Sequence, residues 1–470
     1  MDKRCSIVVV LHDENDNLIS SETIHEKPIF TPERIGDLGL LHSEQQQILQ
    51  DIQSNIVNQQ TKGLADYNNG ICPECGSHLH KNGKQQSLYH GVYADSLVYI
   101  SKLYCSSSAC KWSHNPSVIS YFGDNISPEL AKIQTELGAK STFREAKNSL
   151  RLMTGKLRPI NNHMRIRRTV SFAGKGISAY NKILANRMPS DSLETKNNLE
   201  LHNETYNGAT YSYNKELVIG ADGAYIHDVD NPGHNFEAMV AKIYNPVNIS
   251  KTSNKRYKIT QKQCVGSAMK DEQKVMIQKT LVAAKLEGLD KNTKLIGLAD
   301  GAANCWNVIK SLEPFCALLI CILDWFHIAK RFTTIEKQLP KYAKGYLDSA
   351  HGGLWYGDVD AALRCLQQLR FKLKNTGDIE KLDDLISYFE NNRRYIISYE
   401  ERSIKGLPFS SQMAESTVEH FVAKRFKKKQ KMAWLRANTH DVLQVRAALI
   451  SNTFDGYWKA AYGVPMQEAA

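Results

Sequence analysis

The residues of this 470-residue chain that carry the most chemistry are four cysteines and a handful of carboxylates. Cys72-Pro-Glu-Cys75 and Cys105-x4-Cys110 are two close pairs with 29 residues between them. A tetrahedral Zn²⁺ takes four soft ligands, and a Cys-x2–4-Cys knuckle supplies two of them from one tight turn. The spacing predicts a structural Zn²⁺ on Cys72, Cys75, Cys105 and Cys110, with unligated core thiols as the competing reading. His78, His80, His90 and His114 are nearby alternatives, but four thiolates already close the shell. A closed shell folds its segment and keeps no open position for hydrolysis.

Asp222 lies in Ile-Gly-Ala-Asp-Gly and Asp300 ends Leu-Ala-Asp-Gly. Two such carboxylates on neighbouring strands, about 4.8 Å apart, make a shared site for a hard cation. A third carboxylate from a helix completes a two-metal centre of the kind that drives phosphodiester displacement. Taken singly, each Asp-Gly reads equally well as a plain turn. Asp324, in Leu-Asp-Trp-Phe-His, reads as a helix N-cap or, with His327, as an auxiliary group for a flanking phosphate.

Basic residues gather in two places. Lys424, Arg425, Lys427, Lys428, Lys429 and Lys431 are six positive charges interrupted by Phe426 and Gln430. Such a run predicts affinity for a polyanion that falls steeply with salt; a solvated helix face is the competing reading. Arg165, Arg167 and Arg168 lie on the third of three expected short helices between 127 and 172. This arrangement suits a helix-turn-helix whose last helix enters a major groove; a small linking bundle is the alternative. Trp306 and Trp325 read as core aromatics.

The elements that must position these groups follow from periodicity and punctuation. Residues 1–68 are mixed, with a strand over Cys5–His12 and a polar helix over His42–Asn58. Residues 69–118 are the zinc ribbon and 119–187 the helical DNA-binding region. In that region Ser127-Pro128 opens the first helix, Ser141 with Glu145 the second, and Pro159 the third. Residues 188–215, polar and almost free of aliphatic periodicity, read as a linker. Strands are expected at 217–226, 236–244 and 264–269, a helix from Asp271 to Glu287, then strand 295–300, helix Gly301–Leu312 and strand 317–324. That order makes 216–450 a ribonuclease-H-like catalytic domain. A helical insertion is expected over about 326–400, further amphipathic helix over 412–450, and a tail over 451–470. The fold class is therefore multidomain α/β.

Composition narrows the partners. Sixty Lys+Arg against 49 Asp+Glu leave a net charge of +11, which favours a polyanionic partner. The longest apolar run, Phe315 to Leu323, is too short to cross a bilayer, so no membrane is expected. No signal-peptide core precedes Asp13, and the ten cysteines are expected as reduced thiols or metal ligands in a chain that is not exported.

Three stretches taken together resemble the DDE transposases of bacterial insertion sequences, specifically the Mutator-like, Kra-type group. They are ADGAANCWNVIKSLEPFCALLICILDWFHIAK (299–330), PFSSQMAES (408–416) and AKRFKKKQKMAW (423–434). The group carries an Asp-Gly-Ala strand end, a strand ending Leu-Asp-x-Phe-His, a Pro-x-x-Ser-Gly-x-Val-Glu-Ser stretch, a basic helix and Met-x-Trp. The resemblance covers about 217–450 well and the N-terminal half loosely. It implies a catalytic and metal-binding triad of Asp222, Asp300 and Glu415, holding two Mg²⁺ or Mn²⁺ ions. The family's Ser-Gly glycine is Gln412 here and its valine before the glutamate is Ala414; Glu419, one turn on, is the competitor for the third position. The resemblance further implies double-stranded DNA as partner (element ends and target), a homo-oligomer, and a cytoplasmic, nucleoid-associated bacterial protein. Its rivals are a transposase-derived DNA-binding protein without catalysis and a ribonuclease-H-like nuclease.

Overall fold

Long antiparallel strands and capped helices fill the first third of the chain. A computed structural model describes residues 3–62, 70–187, 201–253, 256–411, 419–427 and 432–463. They fall into two units, Met1–Thr169 and Val170–Ala470.

In the first unit an antiparallel hairpin pairs β1 (Lys3–His12) with β2 (Leu18–Ile29), followed by α1 (His42–Lys62). A three-stranded antiparallel sheet then orders β3 (Leu79–His90), β4 (Asp95–Cys105) and β5 (Ser113–His114) with β4 central. β4 alternates exposed and buried residues, as a strand with one covered face must, and buries Val98 and Ile100. After the short α2 (Val118–Phe122), Ser127 caps α3 (Pro128–Lys140), its hydroxyl accepting from Leu130 N at 3.1 Å. α4 (Phe143–Thr154) opens on Thr142, not Ser141: Thr142 and Glu145 cap each other reciprocally at 3.2 and 3.0 Å. Arg158, only 4% exposed, donates to the carbonyls of Gly91, Val92 and Ala94 and to Asp95. It thereby locks the β3–β4 turn to the chain that enters α5 (His163–Arg187).

The second unit, mixed α/β, begins within α5 and continues with a hairpin of β6 (His202–Tyr206) and β7 (Ala209–Tyr213). The expected linker therefore carries structure over 202–213, and its residues 188–200 lie outside the described ones. The main strands are β8 (Lys215–Asp228) and β9 (Asn235–Tyr244). A small hairpin, β10 (Ile249–Ser253) and β11 (Arg256–Ile259), comes before β12 (Gln263–Ser267). Helix α6 (Lys274–Leu286) leads to β13 (Thr293–Ala299), and α7 (Ala303–Lys310) to β14 (Leu318–Leu323). The mixed sheet runs β12-β9-β8-β13-β14, with β9 antiparallel to both neighbours and β13 parallel to both of its own. All seven residues of β13 are buried, as expected of a parallel strand covered on both faces.

Helices α8 (Trp325–Glu336), α9 (Lys344–Trp355), α10 (Val359–Lys372), α11 (Thr376–Asn392) and α12 (Tyr399–Ile404) follow β14. They share one hydrophobic core with the sheet, running from Leu217 and Ile296 to Leu366 and Phe389. The expected amphipathic helix over 412–450 is broken into pieces. A π-helical turn (Glu419–Ala423) runs into the three-residue α13 (Lys424–Phe426), then β15 (Ala433–Trp434) joins the sheet beside β8, and α14 (Arg436–Ile450) follows. The segment read as a tail contains α15 (Phe454–Tyr462), with Phe454, Tyr457 and Trp458 buried. Among the described residues no helix is long and apolar enough to cross a membrane.

Candidate metal and nucleic-acid site

Register, not sequence proximity, assembles the carboxylates. β13 stops at Ala299, opposite Ala221 of β8 and Leu323 of β14. The next residue on each strand is an aspartate: Asp222, Asp300 and Asp324. β8 itself continues to Asp228, paired with β9 on one side and regaining a neighbour on the other only at His227, where β15 begins. Asp222 therefore opens a notch in the sheet.

Each carboxylate has one oxygen committed locally. Asp222 Oδ1 accepts from Gly223 N at 2.7 Å, and Asp300 Oδ1 from Ala302 N at 2.9 Å. Asp324 Oδ1 accepts from Phe326 N, capping α8, and from Ser411 N, both at 3.0 Å. His327 Nε2 stands 3.8 Å from Asp222 Oδ2 and 3.8 Å from Asp324 Oδ2. A cavity of about 40 Å³ lies among Asp222, Lys242, Tyr244, Asp324, His327 and Ser411. Burial pushes the Asp222 carboxyl up to about 6; His327 opposes that rise, and the charges of Asp300 and Asp324 add to it.

Glycine makes two of these positions possible. Gly301 has φ +99°, a conformation that side chains avoid, and a Cβ there would lie 2.8 Å from the Asn392 amide. A Cβ on Gly223 would lie 2.3 Å from Glu237 Oε1. Glu237, on β9, accepts from Asn304 Nδ2 through both oxygens at 2.7 Å, and with Asp300 and Asp222 it raises the buried Cys305 thiol further than burial alone does. Sequence reasoning misses this fourth carboxylate; the available signal is the one acidic residue on a largely apolar strand. Tyr388, from α11, donates to the Asp300 carbonyl at 2.8 Å.

Of the remaining acidic positions, Glu415 lies outside the described residues. Glu419 begins the π-helical turn. The chain leading toward Glu415 is fastened to the site: Trp325 N donates to Phe409 O at 3.3 Å, Arg402 Nε to Pro408 O at 2.9 Å, and Ser411 N to Asp324. Trp325 packs against His351, Trp355 and Tyr399, and Trp306 stacks on Tyr395.

Among the described residues, the group of three or more potential ligands that converges is Cys72, Cys75, Cys105 and Cys110, whose sulfurs all lie within 4.8 Å of one another. The Cys72–Cys110 and Cys75–Cys105 separations are 3.9 and 3.3 Å. Four sulfurs about 2.3 Å from a central ion stand about 3.8 Å apart, so the cluster could bind zinc. Backbone turns build both knuckles: Gly76 N donates to Cys72 O at 3.0 Å, and Cys110 N to Ser107 O at 3.1 Å. Hydrogen bonds from the Ser77 side chain and backbone pull the Cys75 thiol down to about 6, favouring the thiolate that a metal takes. Three of the four neighbouring histidines are engaged elsewhere: His80 stacks on Tyr104, His114 on Trp112, and His90 pairs with Asp95 at 2.7 Å.

The basic groups are less uniform than the sequence suggests. Lys424 and Lys427 are exposed. Arg425 is 1% exposed, its guanidinium 4.6 Å from the Trp434 ring centre, so it is a core residue and not a phosphate contact. Lys428, Lys429 and Lys431 lie outside the described residues. On α5, Arg168 is exposed and Arg165 and Arg167 are half-buried. Comparison with known proteins adds nothing to this geometry: no family model matches the chain, and no curated protein matches it.

Proposed function

We propose that this chain is a DNA transposase that binds the ends of an insertion sequence, cleaves them by phosphodiester hydrolysis and joins the 3′ ends to target DNA by transesterification. One observation carries the reading: Asp222 and Asp300 occupy adjacent positions at the end of the β8–β13 parallel pair, in a notch where burial and like charge already strain the Asp222 carboxyl. Such a carboxyl is relieved by a divalent cation. The strand order third-second-first-fourth-fifth, with the second strand antiparallel, is the arrangement of a ribonuclease-H-like core. It supports the likeness to DDE enzymes in the motif-bearing segments.

The carboxylates of Asp222 and Asp300, with Glu415 as third ligand, are the groups that would hold Mg²⁺ or Mn²⁺. When bound, a metal pair supplies Lewis-acid activation of the attacking oxygen and stabilises the leaving oxygen. Asp324 serves as a positioning residue: it caps α8 and holds Ser411, four residues before Glu415. The Cys₄ cluster takes a structural zinc, Lys424 and Lys427 contact phosphates, and Arg165, Arg167 and Arg168 enter a groove of double-stranded DNA. A homo-oligomer brings two element ends together.

The test is strand transfer with purified protein, Mg²⁺ and labelled element-end DNA, comparing wild type with Asp222→Ala, Asp300→Ala and Glu415→Gln. Joined products from wild type alone support the reading. Binding of ends without cutting or joining favours a non-catalytic DNA-binding protein, and cutting without joining favours a nuclease. Joining that survives Glu415→Gln moves the third ligand to Glu419.

A further inference from the structure

Away from the carboxylates, α5, α6 and α14 enclose a cavity of about 470 Å³ within the second unit. Lys279 of α6 lines it with its side chain almost wholly removed from solvent, at 7% exposure. Among the described residues its one hydrogen bond is a long one, 3.4 Å to the Ser178 hydroxyl, and none of their carboxylates lies within ion-pair distance. Lys175 and Lys182 of α5 line the same cavity, seven residues apart and therefore on one helix face about 10 Å apart along the axis. Asp441, at the cavity wall, accepts from the Ser171 hydroxyl and interacts with the charge of Lys175.

A buried ammonium without a counter-charge is expensive to maintain. Burial and the neighbouring Lys182 pull Lys279 down to about 8, which still leaves it mostly protonated at neutral pH. His440 adds no charge, because burial holds its imidazole down to about 4. Three lysines line a cavity with hydroxyl and amide donors from Ser178 and Asn438, and the one carboxylate on its wall, Asp441, interacts with Lys175, so nothing among the described residues balances Lys182 and the buried Lys279. Lysine is a point-charge binder of phosphate.

The geometry points to a phosphate-binding site formed by Lys175, Lys182 and Lys279 between α5, α6 and α14. The phosphate is either a phosphodiester of nucleic acid or a free phosphate monoester, and both present the same oxyanion. The inference stands apart from the transposase reading, because none of these residues belongs to the carboxylate notch.

The experiment uses the full chain and inorganic phosphate at constant ionic strength, read by calorimetric titration and by thermal melting. Wild type and Asp222→Asn are expected to bind saturably and to melt higher with phosphate. Lys279→Met and Lys182→Gln are expected to weaken binding at least tenfold, while Lys279→Arg retains it. Lys279→Met without phosphate melts no lower than wild type, since it removes an uncompensated charge, so loss of binding there is not loss of fold. Equal phosphate affinity in wild type and Lys279→Met, or no saturable binding to wild type, overturns the site. A duplex-DNA arm identifies the source. A salt slope reduced by about one in Lys279→Met supports the site with a backbone phosphodiester as its ligand. An unchanged slope alongside lost phosphate binding supports it with a small phosphate ester.

Discussion

The imidazole of His327 stands 3.8 Å from the Asp222 carboxylate, close enough to steady its charge and too far to neutralise it fully. What remains is a carboxyl pushed up to about 6, by burial first, with His327 opposing and Asp300 and Asp324 adding. An aspartate in the unfolded chain titrates near 3.9. Between these values the folded state holds more protons, so this group's contribution to stability falls as pH rises from about 4 to about 6 and stays lowered above. Asp222→Asn is therefore expected to stabilise the metal-free protein at pH 7.5, by on the order of 2 kcal/mol, and to leave it unchanged at pH 3.5. Denaturant unfolding at the two pH values checks this. Equal stability at pH 7.5 removes the strained carboxyl. The proposed metal site adds a second expectation. Mn²⁺ affinity should climb about tenfold per pH unit up to pH 6 and then level off, with the inflection moving down in Asp300→Asn and up in His327→Gln.

Arg425 and its lysine neighbours should separate cleanly. Arg425 lies beneath Trp434, so Arg425→Ala is expected to cost about 2–4 kcal/mol of stability through a cavity and a lost cation–π contact. Its salt dependence of DNA binding should stay that of wild type. Lys424→Gln and Lys427→Gln are exposed changes, expected to leave stability within about 0.5 kcal/mol and to lower the salt slope by about 0.9 each. A reduced slope in Arg425→Ala at unchanged stability would return that residue to the surface.

This contrast marks the limit of what the chain reveals in one dimension. The Asp324 cap is legible because a cap is local: the side chain bonds an amide two residues on. The cysteine knuckles are legible for the same reason, whereas the placing of Asp222 beside Asp300 is expected only through the likeness to a ribonuclease-H fold, because their strands are far apart in sequence. Arg425 is not, because the ring that covers it arrives through the pairing of β15 with β8, more than 200 residues away in sequence. Glu237 and Tyr388 likewise reach the notch from elements that local pattern alone cannot place. The β6–β7 hairpin is legible in its turn, although its polar composition reads as a linker. Asn207-Gly208, both at positive φ, is the two-residue turn that favours a hairpin, and Thr and Tyr, good strand formers, flank it on both sides.

The cysteine cluster predicts one zinc per chain. Four thiols held within 4.8 Å of one another carry too little surrounding apolar core to fold residues 70–122 unaided. A structural zinc of this type is worth on the order of 10 kcal/mol. Removing it with a strong chelator, or by Cys105→Ser, should abolish amide protection over 70–122 and leave the β8–β13 core protected. Hydrogen exchange alongside metal analysis tests this. A freshly purified chain with no zinc, four reactive thiols and full protection in that segment rules the metal out.

His440 should make the second unit acid-sensitive. Its Nδ1 accepts from the Ala268 amide at 3.4 Å, which an imidazolium cannot do. Burial first, then Lys279, holds the ring down to about 4, with Asp271 opposing. In the unfolded chain the same imidazole titrates near 6.5. Between those values the unfolded state binds more protons, so the stability is complete above pH 6.5 and is lost as pH falls toward 4. The loss reaches about 3 kcal/mol. Denaturant unfolding of wild type and His440→Gln at pH 7, 5.5 and 4 should therefore diverge progressively as the pH drops, wild type falling faster. Parallel profiles would move the acid sensitivity to another group.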